Sequence, residues 1–207
     1  MSDTYFNIRR SECKHPELQD SEWEIFYEHF VVFPWDGLPS NARGFELGCG
    51  TGLWTQLIAQ RVGHIVGLDH RSEELSRARS YCDLTNVEFL ESDFFSLKSI
   101  EAKSMDFGVA LETLHCSPDV ERTVQTCAEK LKPGAPLLIY LLFEPETPFG
   151  RLRAKASDIR YRLERKQKMD KRYKKAEVRK FMTNAGLETI QFSPVGSYWT
   201  ALGYKVS

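Results

Sequence analysis

The feature that most constrains the fold is a run of three alternating glycines, Gly48, Gly50 and Gly52. They follow a short apolar segment that ends at Leu47 and precede an apolar helical pattern. Glycine adopts left-handed backbone conformations and has no Cβ, so such a loop lets a ligand lie directly against the backbone. A strand, a glycine loop and a helix in this order predict the ligand edge of a parallel sheet. The spacing is GxGxG rather than the dinucleotide GxGxxG, so it does not indicate a pyrophosphate site.

Strand-like and helix-like segments alternate from residue 44 onward, a pattern typical of a parallel sheet with helices on both faces. The helical segments repeat apolar residues at three- and four-residue steps, as in Leu53, Leu57 and Ile58. The last two strands have a short connection and should be antiparallel to each other. The predicted strands are Gly44–Leu47, His64–Asp69, Val87–Ser92, Met105–Leu111, Pro136–Phe143, Leu187–Phe192 and Trp199–Val206. We therefore predict an α/β fold, with a doubly wound, mostly parallel seven-stranded sheet and an antiparallel last strand.

Local chemistry marks several helix boundaries. A helix is predicted to start at Ser72, with Ser72 as its capping residue and Glu74 in its first turn. Pro118 predicts another start, since proline suits the first helical position. Lys132-Pro133-Gly134 predicts the end of that helix and the turn into the fifth strand.

The length of 207 residues suits one α/β domain and is short for two. The first part contains an aromatic stripe at helical spacing, from Trp23 to Phe30, which favours a helix over about 20–30 that packs as a cap over the ligand edge. We expect a single domain over 1–207 in four parts: an N-terminal cap (1–43), a ligand-binding core (44–143), a basic helical lid (144–175) and a final helix with two strands (176–207).

The net charge of −1 conceals a strong asymmetry. Residues 151–180 contain 14 of the 28 basic residues but only four of the 29 acidic ones, a net charge of +10 against −11 elsewhere. Such a segment can bind nucleic acid, rest on an anionic membrane surface, or form the solvated outer face of a lid helix. The sequence does not decide between these three interpretations.

Composition excludes other classes of protein. The five cysteines are odd in number and scattered, without the spacing of a zinc site, so we expect reduced thiols and no metal. The first ten residues contain no apolar signal segment, and the longest apolar run, Leu137 to Phe143, is too short to span a bilayer. We expect a cytoplasmic location.

The segment Glu46-Leu-Gly-Cys-Gly-Thr-Gly52 resembles motif I of the class I, Rossmann-like S-adenosylmethionine-dependent methyltransferases. The resemblance extends over residues 44 to 143 and includes Lys132-Pro133-Gly134. It implies S-adenosylmethionine as cofactor and S-adenosylhomocysteine as product. It also implies that the loop contacts the amino acid part of the cofactor. The loop residues assigned to the cofactor are Glu46, Gly48, Cys49, Gly50 and Gly52, although Glu46 could instead anchor the loop and Cys49 could simply be a packing residue.

The ends of the next two strands also match this family. Asp69 closes the second strand where the family has an acid that binds both ribose hydroxyls, and His70 follows it. A carboxylate there can accept two hydrogen bonds from a vicinal diol. Asp93 lies where the family binds the adenine amino group, and Phe94 lies where an apolar residue covers the ring. A turn-forming role for Asp93 is the alternative.

The fourth strand ends in Leu111-Glu112-Thr-Leu-His115. In the family, the backbone after this strand meets the methionine amino group, which implies that Leu111, Glu112 and His115 lie beside the sulfonium. Methyl transfer is an in-line displacement from an activated leaving group, so alignment matters more than a catalytic group. His115 is the candidate general base, or alternatively a pocket-lining residue.

The same segment bears on the acceptor. It lacks the Asp/Asn-Pro-Pro-aromatic segment of the enzymes that methylate exocyclic base amines, and Cys116 lacks the preceding proline of a cysteine-dependent pyrimidine mechanism. The pattern is similar to small-molecule methyltransferases of the quinone and natural-product type. We therefore expect a small-molecule acceptor. The alternatives are an RNA methyltransferase that uses the basic 151–180 segment and a non-catalytic cofactor-binding module that regulates a partner.

Overall fold

A computed structural model of the protein describes residues 15–17, 32–145, 147–148, 152, 171–195 and 198–207. The expected cap helix and most of the expected basic lid lie outside these residues. Among the residues described, no helix combines the length and the apolar character needed to span a bilayer.

Seven strands and four α-helices form the described fold. The strands are β1 (Arg43–Leu47), β2 (His64–Asp69), β3 (Val87–Glu91), β4 (Phe107–Ala110), β5 (Pro136–Leu141), β6 (Leu187–Val195) and β7 (Tyr198–Lys205). The helices are α1 (Leu53–Ala59), α2 (Ser72–Tyr81), α3 (Val120–Lys130) and α4 (Lys175–Asn184), and short 3-10 turns lie at Trp35–Gly37 and Leu114–Cys116.

The strands form one sheet in the order β3-β2-β1-β4-β5-β7-β6. Strands β1 to β5 pair in parallel, and β7 runs antiparallel to both β5 and β6. The predicted fold class is therefore confirmed. The order reverses between β1 and β4, and in open α/β sheets such a switch point forms the crevice in which ligands bind.

Helices cover both faces of the sheet, because buried parallel strands are apolar on both sides. On one face α3 and α4 contribute the fully buried Val124 and Met182. On the other face α1 packs together with Phe33 and Trp35. Both aromatic rings make edge-to-face contacts with Phe107, at 5.9 and 5.7 Å between ring centroids. This described part of the N-terminal region thus packs over the first residue of β4.

The helix starts differ in detail from the prediction. Ser72 is the first residue of α2 rather than its cap, because the chain turns earlier: the Asp69 carboxylate accepts the Arg71 N–H at 2.9 Å. Helix α3 is capped by Asp119, which follows the predicted Pro118 and accepts the Arg122 N–H at 3.0 Å.

The two ends of the segment between β5 and α4 pair with each other. The Tyr173 N–H donates to the Leu142 carbonyl and the Glu144 N–H donates to the Tyr173 carbonyl, both at 2.8 Å. Phe143 and Tyr173 thus form a parallel bridge just beyond the carboxyl end of β5. The two ends of the expected lid are therefore fixed at the edge of the sheet where the glycine loop lies.

The packing of β1 on β4 gives a stability prediction. A Cβ on the buried Gly44 would lie 2.2 Å from ring atoms of Phe107, its partner in β4, whereas a Cβ on Gly37 would meet no heavy atom within 4 Å. Because overpacking a sheet core is costly, we expect Gly44→Ala to lower the free energy of unfolding by about 2 kcal/mol. The matched Gly37→Ala should leave it almost unchanged. Urea unfolding of both variants measures the difference, and equal stabilities would contradict the prediction.

Candidate functional site

The residues that the sequence assigns to a site follow the carboxyl ends of four neighbouring strands. The glycine loop follows β1, Asp69 ends β2, Asp93 and Phe94 follow β3, and residues 111–115 follow β4. Since these strands are parallel, all four ends meet at the edge of the sheet that contains the switch point.

The glycine loop turns back against the end of β2. Gly48, Gly50 and Gly52 all have positive φ, at 76°, 52° and 82°, which is a left-handed conformation that favours glycine. The N–H groups of Gly48 and Cys49 both donate to the Leu68 carbonyl, at 2.6 and 3.0 Å. The loop is thereby fixed to the strand that ends at the predicted ribose-binding acid.

Thr113 is a site residue that no sequence motif identifies. It is buried after β4, and its Oγ1 lies 1.9 Å from the position that a Cβ on Gly48 would occupy. The end of β4 and the glycine loop are therefore in direct contact, and a side chain at position 48 would separate them. The sequence contains no signal for this contact, because Thr113 and Gly48 are brought together only by the pairing of β1 with β4.

Asp69 lies at the ligand edge of the sheet and binds backbone N–H groups there. Its side chain is 4% exposed. One carboxylate oxygen, Oδ2, accepts the Gly50 N–H at 3.0 Å, and the other, Oδ1, accepts the Arg71 N–H at 2.9 Å. A carboxylate offers about four acceptor positions, so Oδ2 retains capacity for a ligand hydroxyl after the bond to Gly50. The same group can therefore hold the loop and bind a diol.

A narrow cleft of about 10 Å³ opens beside Asp69. It is bounded by the rings of His70 and Phe94, whose centroids are 6.2 Å apart with a tilt of 38°. A flat ring in van der Waals contact with both would need about 7 Å, so the exposed His70 side chain would have to move to admit one. The residues that line the cleft are Leu47, Gly48, Asp69, His70, Ser92 and Phe94.

Asp93 is exposed and shapes the turn after β3. Its Oδ1 accepts the Phe95 N–H at 2.7 Å, and this hydrogen bond holds the pKa of the carboxyl below its ordinary value. The turn-forming role that the sequence allowed is thus present in the structure. It leaves an ionised acceptor next to Phe94, which lines the cleft.

The segment after β4 carries backbone strain. Glu112 has a φ of 51°, a left-handed conformation that is uncommon for residues other than glycine and that recurs at functional sites. Leu111 before it is buried, and the following 3-10 turn, Leu114–Cys116, presents His115 on the exposed side. The predicted base therefore lies at the surface of the same edge.

Glu46 points into the protein. It is 2% exposed, and the Thr55 hydroxyl donates to its Oε2 at 2.5 Å, which links β1 to α1. Burial raises the pKa of this carboxyl from 4.5 to about 7, although the hydrogen bond from Thr55 lowers it in part. The contact matches the anchoring role that the sequence left as an alternative.

Cys49 packs beneath the loop. It is 7% exposed and contacts a small cluster with Leu75, Ala78 and Phe89. Burial raises the pKa of the thiol, so it stays protonated and unreactive at neutral pH. In the part of the chain that the structure describes, no three His, Cys, Asp or Glu side chains are grouped as metal ligands.

Comparisons with known proteins agree with this geometry. A family described as a methyltransferase domain matches residues 45–139. The ubiquinone biosynthesis O-methyltransferase of Hahella chejuensis is 33% identical over 97 residues, which are 46% of this chain and 41% of that protein. The protein of the same name from Xanthomonas axonopodis is 28% identical over 153 residues, 72% of this chain and 64% of that one. The chain thus covers less than two thirds of the length of these relatives.

A solved structure supports the fold over almost the whole chain. It is the putative methyltransferase in a complex with the Trm112 methyltransferase activator of Haloferax volcanii. The TM-score is 0.74 at 18% identity, and the match covers 91% of this chain and 92% of that one. At this identity the likeness concerns the fold alone.

The raised pKa of Glu46 gives a pH prediction for the protein without cofactor. Because the folded pKa of about 7 exceeds the unfolded value of 4.5, the contribution to stability is fully present below 4.5 and is lost as the pH rises through 7. Between pH 5 and pH 8, the wild type should lose up to about 3 kcal/mol of unfolding free energy relative to Glu46→Gln.

Urea unfolding across this pH range measures the loss. The matched control is Glu101→Gln, which changes an exposed acid and should keep the pH dependence of the wild type. The prediction is wrong if Glu46→Gln and the wild type lose stability in parallel.

Proposed function

We propose that the chain is a class I, Rossmann-like methyltransferase, as the match of residues 45–139 to a methyltransferase domain supports, and that it transfers the methyl group of S-adenosylmethionine to a small-molecule acceptor by in-line displacement. The observation that carries the proposal is the hydrogen bond between Gly50 and Asp69. It joins a GxGxG loop to an acid with spare acceptor capacity at the switch point of the sheet.

The described residues fit this cofactor. The carboxylate of Asp69 would accept the ribose hydroxyls, His70 and Phe94 would flank the adenine ring, and Asp93 would accept from the adenine amino group. The methionine part would lie between the glycine loop and the backbone after β4, near Leu111 and Glu112. When bound, the cofactor supplies a methyl group on a sulfonium, which is already an activated leaving group.

The remaining task of the protein is to align the acceptor and exclude water. The acceptor would enter beyond the end of β4, next to the point where Glu144 and Tyr173 fix the two ends of the expected lid. His115, exposed on the neighbouring 3-10 turn, would accept the proton of an acceptor hydroxyl as the methyl group is transferred. The O-methyltransferase names of the relatives support a hydroxyl acceptor, for which we propose a phenol.

Binding of S-adenosylhomocysteine tests the cofactor assignment. Removal of two charge-assisted hydrogen bonds to ribose costs about 3 kcal/mol, so Asp69→Ala should weaken binding about 100-fold in titration calorimetry. The control Asp36→Ala removes an exposed acid from the turn that contains Trp35 and should leave the dissociation constant unchanged. Equal affinity of the wild type and Asp69→Ala would overturn the ribose assignment.

Turnover tests the role of His115. With labelled S-adenosylmethionine and a panel of phenols, His115→Ala should lose about 100-fold in kcat, because general base catalysis contributes about that much. The affinity for S-adenosylhomocysteine should not change. The variant should regain rate as the pH approaches the pKa of the phenol, since an ionised acceptor needs no base. Cys116→Ala, on the same turn, should retain turnover.

The same assay separates the alternative functions. An RNA-directed enzyme would methylate RNA rather than phenols, and its RNA binding would weaken steeply between about 50 and 200 mM salt. A regulatory module would bind the cofactor and methylate neither acceptor. Either outcome would overturn the small-molecule proposal.

A further inference from the structure

Residues 15–17 lie against the outer side of the glycine loop. His15 is only 4% exposed, and its Nε2 lies 2.9 Å from the carbonyl oxygen of Thr51. The Thr51 hydroxyl donates to the Glu17 carboxylate at 2.7 Å. We call the group of His15, Glu17 and Thr51 the clasp. It joins two parts of the chain that are 34 to 36 residues apart.

The hydrogen bonds of His15 indicate which of its ring nitrogens is the donor and which is the acceptor. A carbonyl oxygen can only accept, so Nε2 carries the proton that is donated to Thr51. Nδ1 accepts the Glu17 N–H at 3.2 Å, so it carries none. The edge of the ring also packs on Tyr81, the last residue of α2, with 5.1 Å between centroids. His15 is therefore held by a partner at each nitrogen and by an aromatic neighbour.

The clasp acts on a part of the loop with conformationally free neighbours. Thr51 lies between Gly50 and Gly52, both with positive φ, and glycine can leave that conformation at little steric cost. The Thr51 carbonyl shares a peptide with the Gly52 N–H, which donates to the Cys49 carbonyl at 2.8 Å. The clasp holds the same peptide from outside the loop, and it also binds the Thr51 hydroxyl.

The clasp and Asp69 hold the same turn from opposite sides. Gly50, the neighbour of Thr51, donates its N–H to Asp69 Oδ2 at 3.0 Å. The Gly50 N–H belongs to the peptide before Gly50, and the Thr51 carbonyl belongs to the peptide after Thr51. The clasp and Asp69 therefore hold the loop at two points that are separated by one peptide unit.

We propose that His15 and Glu17 are positioning residues for cofactor binding: they hold Thr51 so that Gly50 and Asp69 keep the arrangement that accepts the ribose. The inference rests on the proposed function, because it assumes that Asp69 binds S-adenosylmethionine. It makes the N-terminal segment part of the cofactor site without direct contact with the cofactor.

Matched substitutions at position 15 test the proposal in the full chain. His15→Gln keeps a side-chain N–H donor for the Thr51 carbonyl, whereas His15→Leu keeps an apolar body without a donor. By titration calorimetry with S-adenosylhomocysteine, His15→Leu should bind five- to tenfold more weakly and His15→Gln within twofold of the wild type, as expected for one hydrogen bond. Wild-type affinity in His15→Leu, or equal losses in both variants, would overturn the proposal.

The exposed half of the clasp gives a second test that does not depend on a buried residue. Glu17→Ala and Thr51→Val should each weaken binding two- to fivefold, and the double variant no more than either alone, because both remove the same contact. Additive losses, or none, would contradict the coupling.

A structural control separates positioning from general stability. Asn86 ties the end of α1 to the start of β3 through hydrogen bonds to the carbonyls of Ala59 and Val62, at 2.8 and 3.0 Å. Asn86→Ala should lower the urea midpoint and keep the affinity for S-adenosylhomocysteine. If it weakens binding as His15→Leu does, the clasp is merely structural. A wild-type protein that does not bind S-adenosylhomocysteine would instead overturn the proposed function and the positioning role together.

Discussion

The hydrogen bond from Gly50 to Asp69 is the interaction on which the ligand edge depends. It joins the loop after β1 to the end of β2, and Asp69 also turns the chain into α2 by accepting the Arg71 N–H. The acid proposed to bind ribose therefore also builds the loop that would receive the rest of the cofactor. Because the side chain is almost fully buried, these N–H donors supply hydrogen bonds that a buried carboxyl group requires.

The architecture was predictable because it follows from local patterns. Alternating apolar strands and helices determine a parallel sheet, and the glycine loop identifies its ligand edge. All seven strands occur where the periodicity predicts them, although β6 extends to Val195 rather than ending at Phe192. The boundaries were less accurate at Ser72, which begins α2 instead of capping it, because the Asp69 carboxylate accepts the Arg71 N–H and turns the chain before Ser72.

The contacts that the sequence could not reveal are those between segments far apart in the chain. Thr113 meets Gly48 only because β4 pairs with β1, and His15 meets Thr51 across 36 residues. Neither residue belongs to a motif, because the role of each comes from its contact with the glycine loop rather than from its residue type. For the same reason, the sequence did not decide whether Glu46 binds the cofactor or anchors the loop. Its burial and its hydrogen bond from Thr55 support the anchoring role.

The bridge between Phe143 and Tyr173 has a consequence for how such a protein can change over evolutionary time. The excursion between them begins and ends at one pair of backbone hydrogen bonds, so its length and composition can vary while the sheet keeps its register. The entropy of closing a loop rises only slowly with its length, by about 0.6 kcal/mol for each doubling. An insertion or deletion there would thus cost the core little while it changes the surface beyond the carboxyl end of β5. The bridge would then let the proposed acceptor side vary while the glycine loop and the end of β2 stay unchanged.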